Sequence, residues 1–261
     1  MTPSRENIIW DFDRTIISVY NEYSLTSLRG LKDDFIINGR QILQWYFDAV
    51  RKGQCKYYEA FNYHQNFDDL IFCSDEIMYF LAHMYLYRPY LNNPVQDGFY
   101  FGDGMLYPNY QNLESKRYSM FSNIVSEKLY NYWDRIGDLI ATYFPALIKP
   151  EQVYFPKAIE IIPKEYHDNE NYIWLKEFKE NQYRKLNQIR KQAVHYTTED
   201  TLFKHKHLNS PSEKEQMEEL FKNRYDLADV YKAQLELTLS GFEKTLLLIE
   251  TVTEKTLADI P

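Results

Sequence analysis

The sequence predicts an all-α protein, folded as an antiparallel helical bundle that carries an N-terminal helical extension. Apolar residues recur every three or four positions in several long segments, which is the period of an amphipathic helix. The 261 residues also include only 8 Gly, together with 24 Tyr and 17% aromatic residues. An open parallel sheet with phosphate-binding turns needs more glycine than this. We therefore expect helices to form most of the fold.

Three long helices are predicted in the second half of the chain. The first extends from about residue 112 to 144 and the second from about 171 to 195, both on apolar spacing. The third begins near Ser210, where Pro211 suits a first helical turn, and reaches about Thr256. Prolines interrupt the chain between the first two helices, at Pro145, Pro150, Pro156 and Pro163.

The first half of the chain is less regular. Apolar spacing predicts helices near residues 36 to 52 and 74 to 89. The stretch from Leu91 to Asn112 holds three glycines and two prolines, so it is predicted to be a loop or hairpin, with a turn near Gly98–Gly104. It separates an N-terminal extension, residues 1–112, from the bundle of residues 113–261. No flexible linker marks that boundary, so one continuous domain is equally compatible with the sequence.

Charge and composition exclude several classes of function. A net charge of -8 argues against nonspecific coating of nucleic acid, which requires many cations on the protein. No segment approaches the ~20 apolar residues of a membrane span, and no signal peptide is recognisable. Cys55 and Cys73 are too few for a disulfide framework or a four-cysteine zinc site. We expect a cytoplasmic protein without membrane contact, bound metal or cofactor.

The residues that carry the strongest chemical signal are Arg190 and His195, near the end of the second long helix. A guanidinium can hold a phosphate through two parallel hydrogen bonds, and an imidazole can exchange a proton near neutral pH. In an unbroken helix the two residues point about 140° apart. They converge only if the helix ends before His195 or if two copies of the chain meet.

An Arg followed by His at this spacing, near the end of a helix in an all-helical domain, resembles the signature of the HEPN superfamily. That resemblance extends over roughly residues 115 to 257. It implies a helical bundle that forms a homodimer and acts on RNA as a metal-independent endoribonuclease. It also implies a setting such as toxin–antitoxin or phage defence, with an antitoxin or sensor protein as a further partner. By the same resemblance, Arg190 binds the scissile phosphate and His195 is the general acid or base.

The upstream helix adds to the resemblance. The segment Leu129–Gly137 is similar to the family helix that packs against the motif, and it makes Asp134 the residue expected to orient Arg190 or His195. Lys191, Tyr196 and Arg135 are expected to line the substrate pocket. Lys191 stands where many members have Asn or Asp, and Tyr196 follows the His directly rather than two positions later. Regulation by modification of that tyrosine is therefore not expected here.

Two alternatives remain open. The first is a non-catalytic interaction or scaffold protein with the same fold and a Tyr-rich surface. The second is a phosphatase, because Asp11, Asp13 and Thr15 after an apolar run resemble the start of haloacid-dehalogenase-type enzymes. Arg14 replaces the usual Gly there, and alternating strands and helices are missing. We therefore favour core positions for the apolar residues of this segment, Trp10, Phe12 and Ile16, with both acids facing water. The basic run Lys204–His207 is predicted to be a solvated loop near the site.

Overall fold

The computed structural model describes residues 4–52, 62–108, 112–144, 146–195, 201, 204–205, 207–208 and 212–258. Most of these residues are helical. The α-helices are α1 (Arg5–Glu22), α2 (Ile42–Lys52), α3 (Tyr63–Tyr87), α4 (Leu113–Ala141), α5 (Phe155–Glu160), α6 (Glu170–Phe178), α7 (Arg184–His195) and α8 (Lys214–Ala258). The all-α fold class is thus confirmed.

The remaining regular elements are short. Two antiparallel hairpins are formed by β1 (Ile36–Ile37) with β2 (Arg40–Gln41) and by β3 (Phe99–Phe101) with β4 (Gly104–Leu106). Turns of 3₁₀-helix occur at Arg88–Tyr90, Pro150–Gln152 and Lys164–Tyr166. A π-helical turn, Lys179–Tyr183, connects α6 to α7.

The chain divides into two units, each assembled from three separate segments. Unit 1 contains Met1–Leu25, Met78–Ser126 and Ile189–Ala233. Unit 2 contains Thr26–Ile77, Glu127–Gln188 and Gln234–Pro261.

An aromatic cluster forms the core of unit 2. The indole of Trp133 stacks on Phe178 at a centroid distance of 3.9 Å and lies 4.9 Å from the ring of Phe155. Two glycines let other parts of the chain approach this cluster. A Cβ on Gly241 would lie 2.2 Å from the Trp133 ring, and one on Gly137 would lie 2.8 Å from the backbone nitrogen of Phe155. Both positions are therefore occupied by the one residue without a side chain.

Polar contacts around an arginine hold unit 1 together. The Arg88 guanidinium donates to Asp229 at 2.7 Å, and the Tyr85 hydroxyl donates to the other oxygen of the same carboxylate at 2.8 Å. The rings of Tyr85 and Tyr225 each lie 4.8 Å from the guanidinium carbon, within the range of cation–π attraction. These contacts join α3 to α8.

Periodicity predicted the long helices well. The helix near 112–144 is α4, and the one near 171–195 is α6 and α7 with the π-helical turn between them. The third is α8, which starts at Lys214 rather than near Ser210 as predicted. Among the apolar positions used to predict α4, those from Val125 to Tyr143 are buried. The first of them, Phe121, is half-buried. The loop or hairpin near 91–112 contains the β3–β4 hairpin, whose turn falls at Gly102, as predicted.

The predicted helix near 36–52 begins too early. Residues 36–41 form the first hairpin, and α2 starts only at Ile42. Asn38 and Gly39 have φ angles of 50° and 77°, which suit a tight two-residue hairpin turn. The helix predicted near 74–89 is correct but starts earlier, at Tyr63, and α1 was not predicted at all.

Within the described residues, no helix is both long and apolar enough to cross a membrane. The division of the sequence into residues 1–112 and 113–261 stays a prediction.

Candidate functional site

The two residues of the predicted motif lie on one regular helix. α7 begins at Arg184 and has His195 as its last residue. The π-helical turn ends at Tyr183, before the motif, so it does not change the angle between Arg190 and His195. Positions five residues apart on an α-helix differ by about 140° around the axis.

That angle bears on whether Arg190 and His195 can meet within one chain. Convergence of Arg190 and His195 within one chain requires the helix to end before His195, and it does not. The backbone of α7 therefore places the two residues on different faces of the helix. The meeting of Arg190 and His195 across two copies of the chain stays a prediction.

The other predicted residues of this segment have different surroundings. Arg190 is half-buried and Lys191 is exposed, and both belong to unit 1. Tyr196 lies outside the described residues.

Asp134 belongs to unit 2, on α4. Its Oδ1 accepts the backbone N–H of Phe155, the first residue of α5, at 3.3 Å. The Tyr183 hydroxyl donates to the same oxygen at 3.5 Å. The carboxylate thus connects α4 to α5 and to the π-helical turn. Its predicted role of orienting Arg190 or His195 stays a prediction.

Arg135, predicted to contact substrate, makes an ion pair inside unit 2. Its Nε lies 3.4 Å from Oδ2 of Asp69 on α3, and one terminal nitrogen donates to the carbonyl oxygen of Asn131. An RNA phosphate bound by Arg135 would compete with the Asp69 carboxylate. Substrate binding by Arg135 also stays a prediction.

Asp138, one helical turn after Asp134, was not among the residues predicted from the sequence. The pKa of this carboxyl is raised from 3.8 to about 6, first by burial and then by the neighbouring charge of Asp134, while Arg135 opposes the shift. A carboxyl with this pKa exchanges protons in the range used by histidine. Its four-residue spacing from Asp134 was visible in the sequence, but its burial was not.

The phosphatase alternative is wrong. Asp11 and Asp13 lie in the middle of α1 rather than after a strand. Two positions apart in an α-helix, they point about 200° apart and cannot jointly hold one magnesium ion. Both acids are exposed, as expected, and Ile16 is buried. Core positions for Trp10 and Phe12 were wrongly predicted, because these side chains are 59% and 40% exposed.

The basic run Lys204–His207 was predicted correctly only in part: Lys204 and His205 are exposed as predicted, and Lys206 lies outside the described residues. His207 is buried, and its Nε2 makes a hydrogen bond with the carbonyl oxygen of Tyr107. That histidine therefore fixes the chain locally instead of facing solvent. Within the part of the chain that the structure describes, no three His, Cys, Asp or Glu side chains are grouped as metal ligands would be.

Comparison with known proteins identifies the family. Residues 77–249 match the HEPN_Cthe2314-like HEPN family, which is well over half of the chain. The protein therefore belongs to the HEPN superfamily. The match begins within α3 and includes α4, α7 and most of α8, so the Arg190 and His195 motif lies inside it. No curated protein and no solved structure is significantly similar to the chain.

Proposed function

We propose that this HEPN protein is a metal-independent endoribonuclease whose active site is shared by two copies of the chain. The observation that carries the proposal is the position of Arg190 and His195 on the last turns of α7, within the family match. Their side chains have the chemistry for phosphodiester cleavage, and their angular separation on the helix calls for a second copy.

The reaction needs only groups that RNA and this motif supply. The 2′-hydroxyl of the substrate attacks the adjacent phosphorus, and the bond from phosphorus to the 5′-oxygen breaks. The products are a 2′,3′-cyclic phosphate and a 5′-hydroxyl. One proton leaves the 2′-hydroxyl and one is delivered to the 5′-oxygen, so the proton count balances. One His195 serves each site: its imidazole takes the proton of the 2′-hydroxyl as base and delivers it to the 5′-oxygen as acid, because imidazole works in both roles near neutral pH.

Arg190 binds the phosphate at which the reaction takes place. Negative charge accumulates on the non-bridging phosphate oxygens in the transition state, and a guanidinium placed there stabilises it. Lys191, Tyr196 and Arg135 line the substrate pocket in this proposal, and Asp134 orients the catalytic pair. The biological setting that we propose is toxin–antitoxin or phage defence, with an antitoxin or sensor as regulator.

The test is RNA cleavage by the purified full chain in the presence of a metal chelator. Replacing a general acid–base residue or a phosphate ligand reduces such rates by about 100-fold to 10,000-fold. We expect that loss for Arg190→Ala and for His195→Ala. The matched controls are Arg184→Ala, at the exposed start of α7, and His64→Ala, an exposed histidine in unit 2.

The outcomes separate the candidate functions. Cleavage lost in both motif variants and kept in both controls supports the nuclease. Cleavage that the motif variants retain would place the activity elsewhere. Absence of cleavage by the wild-type chain would favour the non-catalytic interaction protein.

A further inference from the structure

The β3–β4 hairpin of unit 1 presents three consecutive aromatic side chains to solvent. Phe99, Tyr100 and Phe101 are 45%, 80% and 70% exposed. Successive residues of a strand point to opposite faces of the ribbon, so these side chains cover both of its faces. Isolated exposed apolar residues are ordinary, but a contiguous group of large ones marks an interaction surface.

The base of the hairpin is firmly held by the rest of unit 1. Leu91 and Tyr107, which flank it, are buried. Asn112 donates its backbone N–H to the side-chain oxygen of Asn92 and its side-chain amide to the carbonyl of Tyr90, both at 2.8 Å. The aromatic side chains of Phe99, Tyr100 and Phe101, here called the aromatic tip, therefore project from a fixed base. A surface that is already ordered loses little entropy when it binds a partner.

The ribbon also offers open backbone edges. Among the described residues, β3 and β4 pair only with each other, with Phe99 opposite Leu106 and Phe101 opposite Gly104. The outward N–H and C=O groups of such a ribbon are a template for one more strand. An extended peptide that adds to a sheet edge uses these groups for affinity and the alternate side chains for specificity.

The charge of the segment around the hairpin indicates which kind of partner can bind it. The segment from Leu91 to Asn112 contains two acidic residues and no lysine or arginine. The acids are Asp97, two residues before β3, and Asp103, in the turn of the hairpin, and both are exposed. An RNA backbone would be repelled by them, and two hairpins from two copies would bring four carboxylates together. A cationic strand is attracted by the same charges and by the net charge of -8.

We propose that the β3–β4 hairpin is a docking site for a cationic, extended segment of a partner protein, held by strand addition and by the aromatic side chains of Phe99, Tyr100 and Phe101. Nothing in this binding involves Arg190 or His195. Loss of docking and loss of RNA cleavage are therefore separable by experiment, and each inference can fail alone.

The test measures binding of labelled peptides to the full chain by fluorescence anisotropy. The probe is a ten-residue peptide of alternating Lys and Val, and its counterpart has Glu in place of Lys. We expect saturable binding of the cationic peptide only. Tyr100→Ser combined with Phe101→Ser should weaken it by about tenfold or more, because exposed aromatic anchors dominate such contacts.

The matched control removes exposed apolar side chains elsewhere. Leu147→Ser combined with Ile173→Ser changes residues of unit 2 that are 54% and 42% exposed, and should leave peptide affinity unchanged. Asp97→Asn combined with Asp103→Asn should weaken binding and reduce its dependence on salt.

Four results would overturn the proposal. Saturable binding of the cationic peptide could be absent, or equal in the hairpin variant. A single-stranded oligouridine could bind instead, in a way that the hairpin variant abolishes, which would make the tip a base-stacking platform. Finally, the hairpin variant could convert a dimer of the wild-type chain into a monomer, which would make the occupant a second copy.

Discussion

The two units use the same aromatic-rich sequence in different ways. In unit 2, aromatic rings are packed against one another, as around Trp133, which is fully buried. In unit 1, tyrosines surround the half-buried Arg88, and other aromatic side chains such as Trp10 and Tyr100 are exposed. Both units bury apolar side chains, and both contain ion pairs, such as Arg29–Asp75 in unit 2 and Arg88–Asp229 in unit 1. Unit 1 also carries the Arg190 and His195 motif.

The largest expected difference is between the loss of a buried indole from unit 2 and the loss of an exposed indole from unit 1. Trp133→Ala removes the centre of the aromatic cluster of unit 2 and should destabilise the protein by about 4 kcal/mol, the cost typical of a buried large-to-small change. Trp10→Ala removes a side chain of unit 1 that is 59% exposed, and should change stability by less than about 0.5 kcal/mol. Urea denaturation of the two variants measures the difference. Equal effects would contradict the assignment of core and surface.

The second effect concerns the polar contacts of unit 1. Asp229→Ala removes the acceptor that Arg88 and Tyr85 share. It should cost about 2 kcal/mol, mainly because it leaves the buried Tyr85 hydroxyl without this partner. The attraction to Arg88 contributes little, since the Asp229 side chain is 57% exposed. Glu219→Ala, at an exposed position of the same helix, is the control and should be nearly neutral. A cost for Asp229→Ala no greater than that of the control would mean that these contacts contribute nothing.

The third effect is a pH dependence within unit 2. The pKa of Asp138 is raised to about 6, so stability linked to its neutral form is present below about pH 4 and is lost as the pH rises through 6. Asp138→Asn stays neutral throughout. The variant should match wild type near pH 4 and be more stable by about 2 kcal/mol at pH 7.5, a value reduced for the partial exposure of the carboxyl. Chemical denaturation at both pH values tests this. A difference that does not vary with pH would exclude the raised pKa.

The smallest expected difference in stability is between alanine substitutions at two glycines. A Cβ at Gly137 would lie 2.8 Å from the Phe155 nitrogen, whereas one at Gly104 would meet nothing within 4 Å. Gly137→Ala should cost about 1 kcal/mol, because crowding exceeds the gain in helix propensity. Gly104→Ala should be close to neutral in thermal unfolding. The reverse order would show that α4 and the start of α5 do not pack as closely as the structure places them.

Much of the fold could be predicted from local sequence. The spacing of Val125, Leu129, Tyr132 and Ile136 gave α4, because one face of a long helix must be apolar when it is buried. The same signal existed for α1 in Ile8, Phe12, Ile16 and Val19, with Ser4 as its N-cap. It was missed because the residues around Asp11 resembled a phosphatase strand. The Asn38–Gly39 hairpin signal was likewise hidden by the apolar residues on either side of it.

The site was predictable only in part. Arg190 and His195 were predicted from residue type and spacing, which are properties of the sequence, and their role stays a prediction. The raised pKa of Asp138 depends on burial, and the pairing of Arg135 with Asp69 depends on two helices meeting. Neither could be read from one segment alone. The same is true of the buried His207, which looked like part of a solvated basic loop.

The most direct test of the account is complementation between two inactive variants. Chains carrying Arg190→Ala and chains carrying His195→Ala are unfolded together, refolded as a mixture, and assayed for RNA cleavage. If Arg190 of one copy works with His195 of the other, each mixed dimer has one intact pair, and the mixture recovers about a quarter of wild-type activity. A mixture as inactive as either variant alone, with wild-type chain active after the same treatment, would contradict a site shared between two copies.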